Sequence, residues 1–108
     1  MNDSITEISD VLATYVVIDE QSLTVSLSDG RKLVLPVEWY PRLKHGTPAE
    51  RNQWRLIGEG VGIHWPELDE DLSVESLLAG RRSMETSRSV KKWLAERSVA
   101  KKTRRKSA

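Results

Sequence analysis

The chain has 108 residues, four Trp, no Phe and no Cys, and its net charge of +1 conceals a sharp division. Met1–Gly80 carries six Lys/Arg against fourteen Asp/Glu, a charge of −8, and Arg81–Ala108 carries eleven against two, a charge of +9. Without Cys, disulfide staples and thiolate chemistry are excluded. The longest apolar runs fall far short of the ~20 residues of a membrane span, and Met1-Asn2-Asp3-Ser4 does not begin as a secretory signal does. A reducing, cytoplasmic setting is the expectation.

Met1–Asp10 is polar and is expected to be a flexible N-terminus. Val11–Ile18, with Tyr15, Val16, Val17 and Ile18 in a row, reads as a strand. Gln21–Leu27 alternates: Leu23, Val25 and Leu27 share one face and Ser22, Thr24 and Ser26 the other. Ser28-Asp29-Gly30 then predicts a hairpin turn into Arg31–Val37, with Leu33 and Leu35 facing inward. Glu38–Leu43 reads as a compact turn or short helix. Thr47-Pro48-Ala49-Glu50 is a capping box, which predicts a helix to about Trp54. Arg55-Leu56-Ile57 and Ile63-His64-Trp65 read as strands on either side of a turn at Gly58, Gly60 and Gly62. Ser73 is placed to cap a helix over Val74–Ala79 that stops at Gly80. Ser87–Ala100 predicts a helix with Val90, Trp93, Leu94 and Arg97 on one stripe, and Lys101–Ala108 is expected to be disordered. The fold class is therefore α+β: a small antiparallel sheet with short helices over residues 11–80, then a basic C-terminal helix and tail over 81–108. About 75 foldable residues make a marginal core, so a partner or self-association as a homodimer is expected.

Four segments carry a family resemblance. They are Leu27-Ser28-Asp29-Gly30-Arg31, Trp39-Tyr40-Pro41-Arg42-Leu43, Asn52-Gln53-Trp54-Arg55-Leu56-Ile57-Gly58, and Gly62-Ile63-His64-Trp65-Pro66-Glu67-Leu68-Asp69-Glu70-Asp71-Leu72-Ser73. Over Val11–Gly80 the chain resembles the bacterial domain of unknown function 2442 family. The resemblance implies a small α+β domain with an antiparallel sheet. It also implies a genetic setting, beside a second small domain in pairs proposed to be toxin–antitoxin modules, with this family as the antitoxin side. Relatives that carry a helix-turn-helix domain place it after this one; the 28 residues after Gly80 are too few for it.

The residues themselves suggest little catalytic chemistry. No Ser sits in a Gly-x-Ser-x-Gly elbow. His45 lies in a polar loop, and His64, in a strand, is expected to orient against a backbone carbonyl or a nearby carboxylate rather than act with Glu67 or Asp69 as acid and base. Gly58-x-Gly60-x-Gly62 lacks the helix N-terminus of a phosphate cradle. Glu67, Asp69, Glu70 and Asp71 do not match a calcium loop. No metal, cofactor or enzymatic role is expected. Trp39, Tyr40, Trp54 and Trp65 are read either as core and domain rim or as an exposed patch that docks a partner. Arg42 and Arg55 are candidates to stack on them. The leading expectation is a non-enzymatic protein-interaction module. Its aromatic set and the edge formed by Glu67, Asp69, Glu70 and Asp71 would meet a small basic protein from a neighbouring gene. The alternative is nucleic-acid binding through Lys91, Lys92, Lys101, Lys102, Arg104, Arg105 and Lys106, which would contact the DNA backbone rather than bases.

Overall fold

The computed structural model describes residues 11–107, with side chains through Val99. Met1–Asp10, expected to be flexible, and Ala108 lie outside it. Two three-stranded antiparallel sheets form the body. The first is ordered β1-β2-β3, from Ala13–Ile18, Ser22–Leu27 and Lys32–Pro36. The second is ordered β4-β5-β6, from Arg55–Ile57, Gly62–Trp65 and Glu70–Ser73. Between them lie a 3₁₀ turn at Val37–Trp39 and the short helices α1, Pro41–His45, and α2, Pro48–Arg51. Helix α3 spans Val74–Leu78 and α4 spans Ser87–Ser107.

The alternation in β2 orders the first sheet. Leu23, Val25 and Leu27 are buried and pair with Leu35, Leu33 and the β1 residues across the sheet. The hairpin turn is a three-residue loop. Gly30 N–H donates to Leu27 O at 3.1 Å, Leu27 N–H donates to Arg31 O at 2.8 Å, and Gly30 takes φ +93°, which a side chain would resist.

Local signals fix the short helices. Thr47 Oγ1 accepts from Glu50 N–H at 3.1 Å while Glu50 Oε1 accepts from Thr47 N–H at 2.9 Å. Both halves of the capping box are present. Helix α2 ends at Arg51, short of the expected Trp54, because Gln53 and Trp54 turn the chain into β4. Ser73 Oγ accepts from Ser76 N–H at 3.1 Å, and Gly80, at φ +70°, closes α3 with bonds from Gly80 N–H to Leu77 O and from Arg81 N–H to Ser76 O. That pair is a Schellman closure.

The structure departs from the sequence reading in three places. Glu70–Ser73, to which no element was assigned, is strand β6, paired with β5 in the register Gly62↔Ser73, Ile63↔Leu72, His64↔Asp71 and Trp65↔Glu70. The strands form two sheets where one was expected. Helix α4 continues to Ser107 where an end at Ala100 and a disordered tail were expected; Lys, Arg and Ala are good helix formers, and neither Gly nor Pro interrupts them.

The first half of α4 packs on the body. Val90 and Trp93 are 9% exposed, and Leu94 packs against the same core as Trp65, Leu68 and Leu43. Two arginines reinforce this contact. The Arg42 and Arg97 guanidiniums lie 4.9 and 4.7 Å from the Trp93 ring. Arg42 donates to Glu85 through Nε and Nη2 at 2.8–3.1 Å, and Ser89 Oγ donates to the same carboxylate at 2.7 Å. Arg97 donates to both oxygens of Glu50, at 2.8 and 3.1 Å.

Candidate protein-binding surface

The four aromatics named from the sequence do not form one patch. Trp65 is fully buried, and its indole N–H donates to Arg51 O at 2.9 Å. Tyr40 is 1% exposed, with its hydroxyl donating to Arg81 O at 3.1 Å. These two are core residues, and their docking role is withdrawn: each meets its polar need with a backbone carbonyl. Trp39 is half-buried beneath the Arg82 guanidinium, 4.8 Å from its ring. Trp54 is half-buried against the exposed Tyr15, edge to face at 5.3 Å. Arg42 stacks on Trp93 rather than on any of the four.

The acidic run is likewise split by the strand it forms. Glu67 is exposed in the turn before β6. Asp69 takes φ +51°, a region Asp tolerates, and lies 3.7 Å from Arg42. Asp71, on one face of β6, pairs with His64 Nδ1 on β5. This is a carboxylate partner of the kind expected for His64. Glu70, on the opposite face, is half-buried and feels the charge of Arg42. Burial pushes its carboxyl up to about 7, against the opposing pull of the Asp71 N–H and Arg42. Among the described residues no three His, Asp or Glu side chains come together as a metal site.

Beside β6 lies a cleft of about 830 Å³ that the sequence did not reveal. All four β6 residues line it, together with Tyr40, Leu77 and Arg81–Met84. Met84 is 94% exposed at its mouth. The only sequence hint was the Glu70/Leu72 spacing, which places an acid and an apolar residue on one face of any extended chain.

On α4, Lys91 and Lys92 are exposed. The side chains of Lys101, Lys102, Arg104, Arg105 and Lys106 lie outside the described residues. No described helix is long and apolar enough to cross a membrane.

The family model described as "Protein of unknown function (DUF2442)" matches residues 13–83. The chain belongs to the DUF2442 family. Its fold is similar to the crystal structure of a protein of unknown function from Rhodospirillum rubrum. The identity is 26% and the TM-score 0.61, over 70% of this chain and 94% of that one. It is also similar to the solution structure of an uncharacterised protein from Chromobacterium violaceum. Here the identity is 22% and the TM-score 0.61, over 89% of this chain and 84% of that one; this likeness concerns the fold alone. Among curated proteins none matches the chain. The matched region ends at Ser83, so the residues that clasp α4 to the body — Glu85, Val90, Trp93 and Arg97 — lie beyond it.

Proposed function

We propose that this DUF2442 protein is a non-enzymatic interaction module whose acidic body binds a small basic protein encoded beside it, as the antitoxin of a toxin–antitoxin pair does. The observation that carries this reading is β6, a sheet-edge strand of acidic composition beside an open cleft, on a body with a formal charge of −8. Opposite charge on the partner would speed encounter and disfavour wrong partners. The residues that could have done chemistry have structural partners: His64 is held by Asp71, and Tyr40 by Arg81 O.

A second reading rests on the exposed Arg88, Lys91 and Lys92 of α4: contact with a nucleic-acid backbone, with the body as support. Capture from the native host separates the two. The tagged full chain and a variant carrying R88Q, K91Q, K92Q, K101Q, K102Q, R104Q, R105Q and K106Q are compared with and without nuclease. Truncation at Gly80 is unsuited, because it removes Trp93 from the core. The same small basic protein retained by both chains after nuclease supports the module. Nucleic acid held by the unsubstituted chain, with no protein surviving nuclease, refutes it.

A further inference from the structure

Strand β6 lies at the edge of its sheet, and its hydrogen-bond phase can be read from its neighbour. Val74 N–H donates to Val61 O at 2.9 Å, which continues the β5–β6 ladder beyond Ser73. In an antiparallel ladder hydrogen-bonded and non-bonded pairs alternate. The bonded pairs are therefore Val74/Val61, Leu72/Ile63 and Glu70/Trp65. The backbone groups of Asp71 and Ser73 point away from β5, towards the open side. Asp71 and His64 form a non-bonded pair, where side chains approach most closely, and they touch. Among the described residues, the outward Asp71 N–H finds only the carboxylate of its neighbour Glu70, at 3.2 Å. The cleft is lined by all of β6, by Ile57, Val61 and Gly62 towards the neighbouring strands, and by Arg81–Met84 of the chain after α3.

An unpaired edge is a template for another strand. Its charge decides which. An antiparallel pair of β6 strands centred on Asp71 would set the two Asp71 carboxylates opposite each other, and like charges across a ladder repel. That register is therefore disfavoured for a second copy. Arg81 and Arg82 in the cleft lining disfavour a uniformly basic segment as well. Glu70 and Leu72 share one face of the strand.

We infer that the β6 edge and its cleft receive an extended segment of a partner protein, added as a further strand. It places a Lys or Arg side chain against Glu70 and an apolar side chain, two residues away, against Leu72. The inference rests on the partner-binding reading and deepens it by naming the mode of contact. Main-chain bonds to Asp71 and Ser73 supply affinity, and the basic–x–apolar spacing supplies selectivity. Glu70, pushed up by burial, has lost hydration that a partner cation would replace.

The test uses the ¹⁵N-labelled full chain titrated with the peptide Ac-Lys-Thr-Val-Thr-Lys-NH₂, which reads the same in either strand direction. Amide shifts at Asp71, Ser73 and Arg81–Met84 are expected, and Glu70→Gln should weaken binding about tenfold. N-methylation of either the Val amide or both Thr amides, but not of each set alike, should abolish binding, because only alternate N–H groups face the template. The inference is overturned if the shifts fall on Tyr15, Val17 and Val34 or on α4. It also fails if the Glu-for-Lys peptide binds equally well, or if Glu70→Gln binds unchanged. A native partner that still binds Glu70→Gln and resists competition by the peptide leaves the partner reading standing and removes this groove. Peptide binding at β6 in a host that yields no partner does the reverse.

Discussion

Replacing Glu70 with Gln should stabilise the protein at alkaline pH and hardly change it in acid. The carboxyl, ordinarily near 4.5, is pushed up to about 7 in the fold, chiefly by burial. Between those values the folded chain holds a proton that the unfolded chain has lost. A raised acid of this kind folds without penalty below about pH 4.5, and stability drains away as pH rises through 7. At about 1.4 kcal/mol per pH unit the full shift corresponds to about 3 kcal/mol. Glu70 is half-buried, and solvent screening reduces this to roughly 1–2 kcal/mol. Gln keeps an Oε1 to accept from Asp71 N–H and carries no charge to desolvate. Urea unfolding followed by Trp fluorescence at pH 5 and pH 8 measures the difference. With an m-value of about 1 kcal/mol/M, the midpoint should rise by roughly 1–2 M at pH 8 with m unchanged, and by little at pH 5. Equal effects at the two pH values, or destabilisation at pH 8, would refute the claim that burial of this carboxylate costs stability.

Other perturbations have outcomes fixed by the same geometry. Trp93→Ala removes a nearly buried ring and the seat of two guanidiniums, and should cost roughly 3–5 kcal/mol in urea unfolding while raising amide exchange along the first half of α4. Gly60→Ala should cost about 2 kcal/mol or more, because a Cβ there would lie 2.4 Å from Ala13 O at φ +118°; a denaturation midpoint equal to the parent's would contradict the close approach. Hydrogen bonds from Arg97 and Arg42 lower the carboxyls of Glu50 and Glu85 respectively, so their stabilisation is present above about pH 4.5 and lost as pH falls through the lowered values. Glu85→Gln should therefore flatten the acid limb of the stability curve.

Much of the fold was legible because its signals are local. The alternation of Leu23, Val25 and Leu27, the Thr47–Glu50 box and the Ser73 and Gly80 caps each act within a few residues, and all are in place. Strand β6 was not legible. Glu70-Asp71-Leu72-Ser73 holds no β-branched or aromatic residue, and its extended form comes from pairing with β5 across the turn. The aromatic set was left between core and docking patch for a related reason. Whether Tyr40 and Trp65 can be buried depends on carbonyls 41 and 14 residues away in sequence, and no spacing rule reports those. Arg51 is the same lesson in charge: it is 6% exposed, yet its guanidinium donates to Gly46 O at 2.8 and 3.2 Å, a site no composition argument would find. The cleft combines both limits, since its walls come from β6 and from the chain after α3.

The central claim is that the acidic body, not the basic segment, carries the binding function. The most direct test is calorimetric titration of the full chain at 150 mM salt with two ligands: the small basic protein captured with it from the native host, and a 20-base-pair DNA duplex. The account predicts saturable binding of the protein, weakened by Glu70→Gln and little changed by neutralising Lys101, Lys102, Arg104, Arg105 and Lys106. It predicts only weak, steeply salt-dependent binding of the duplex. Tight duplex binding, with no heat from the protein, would contradict it.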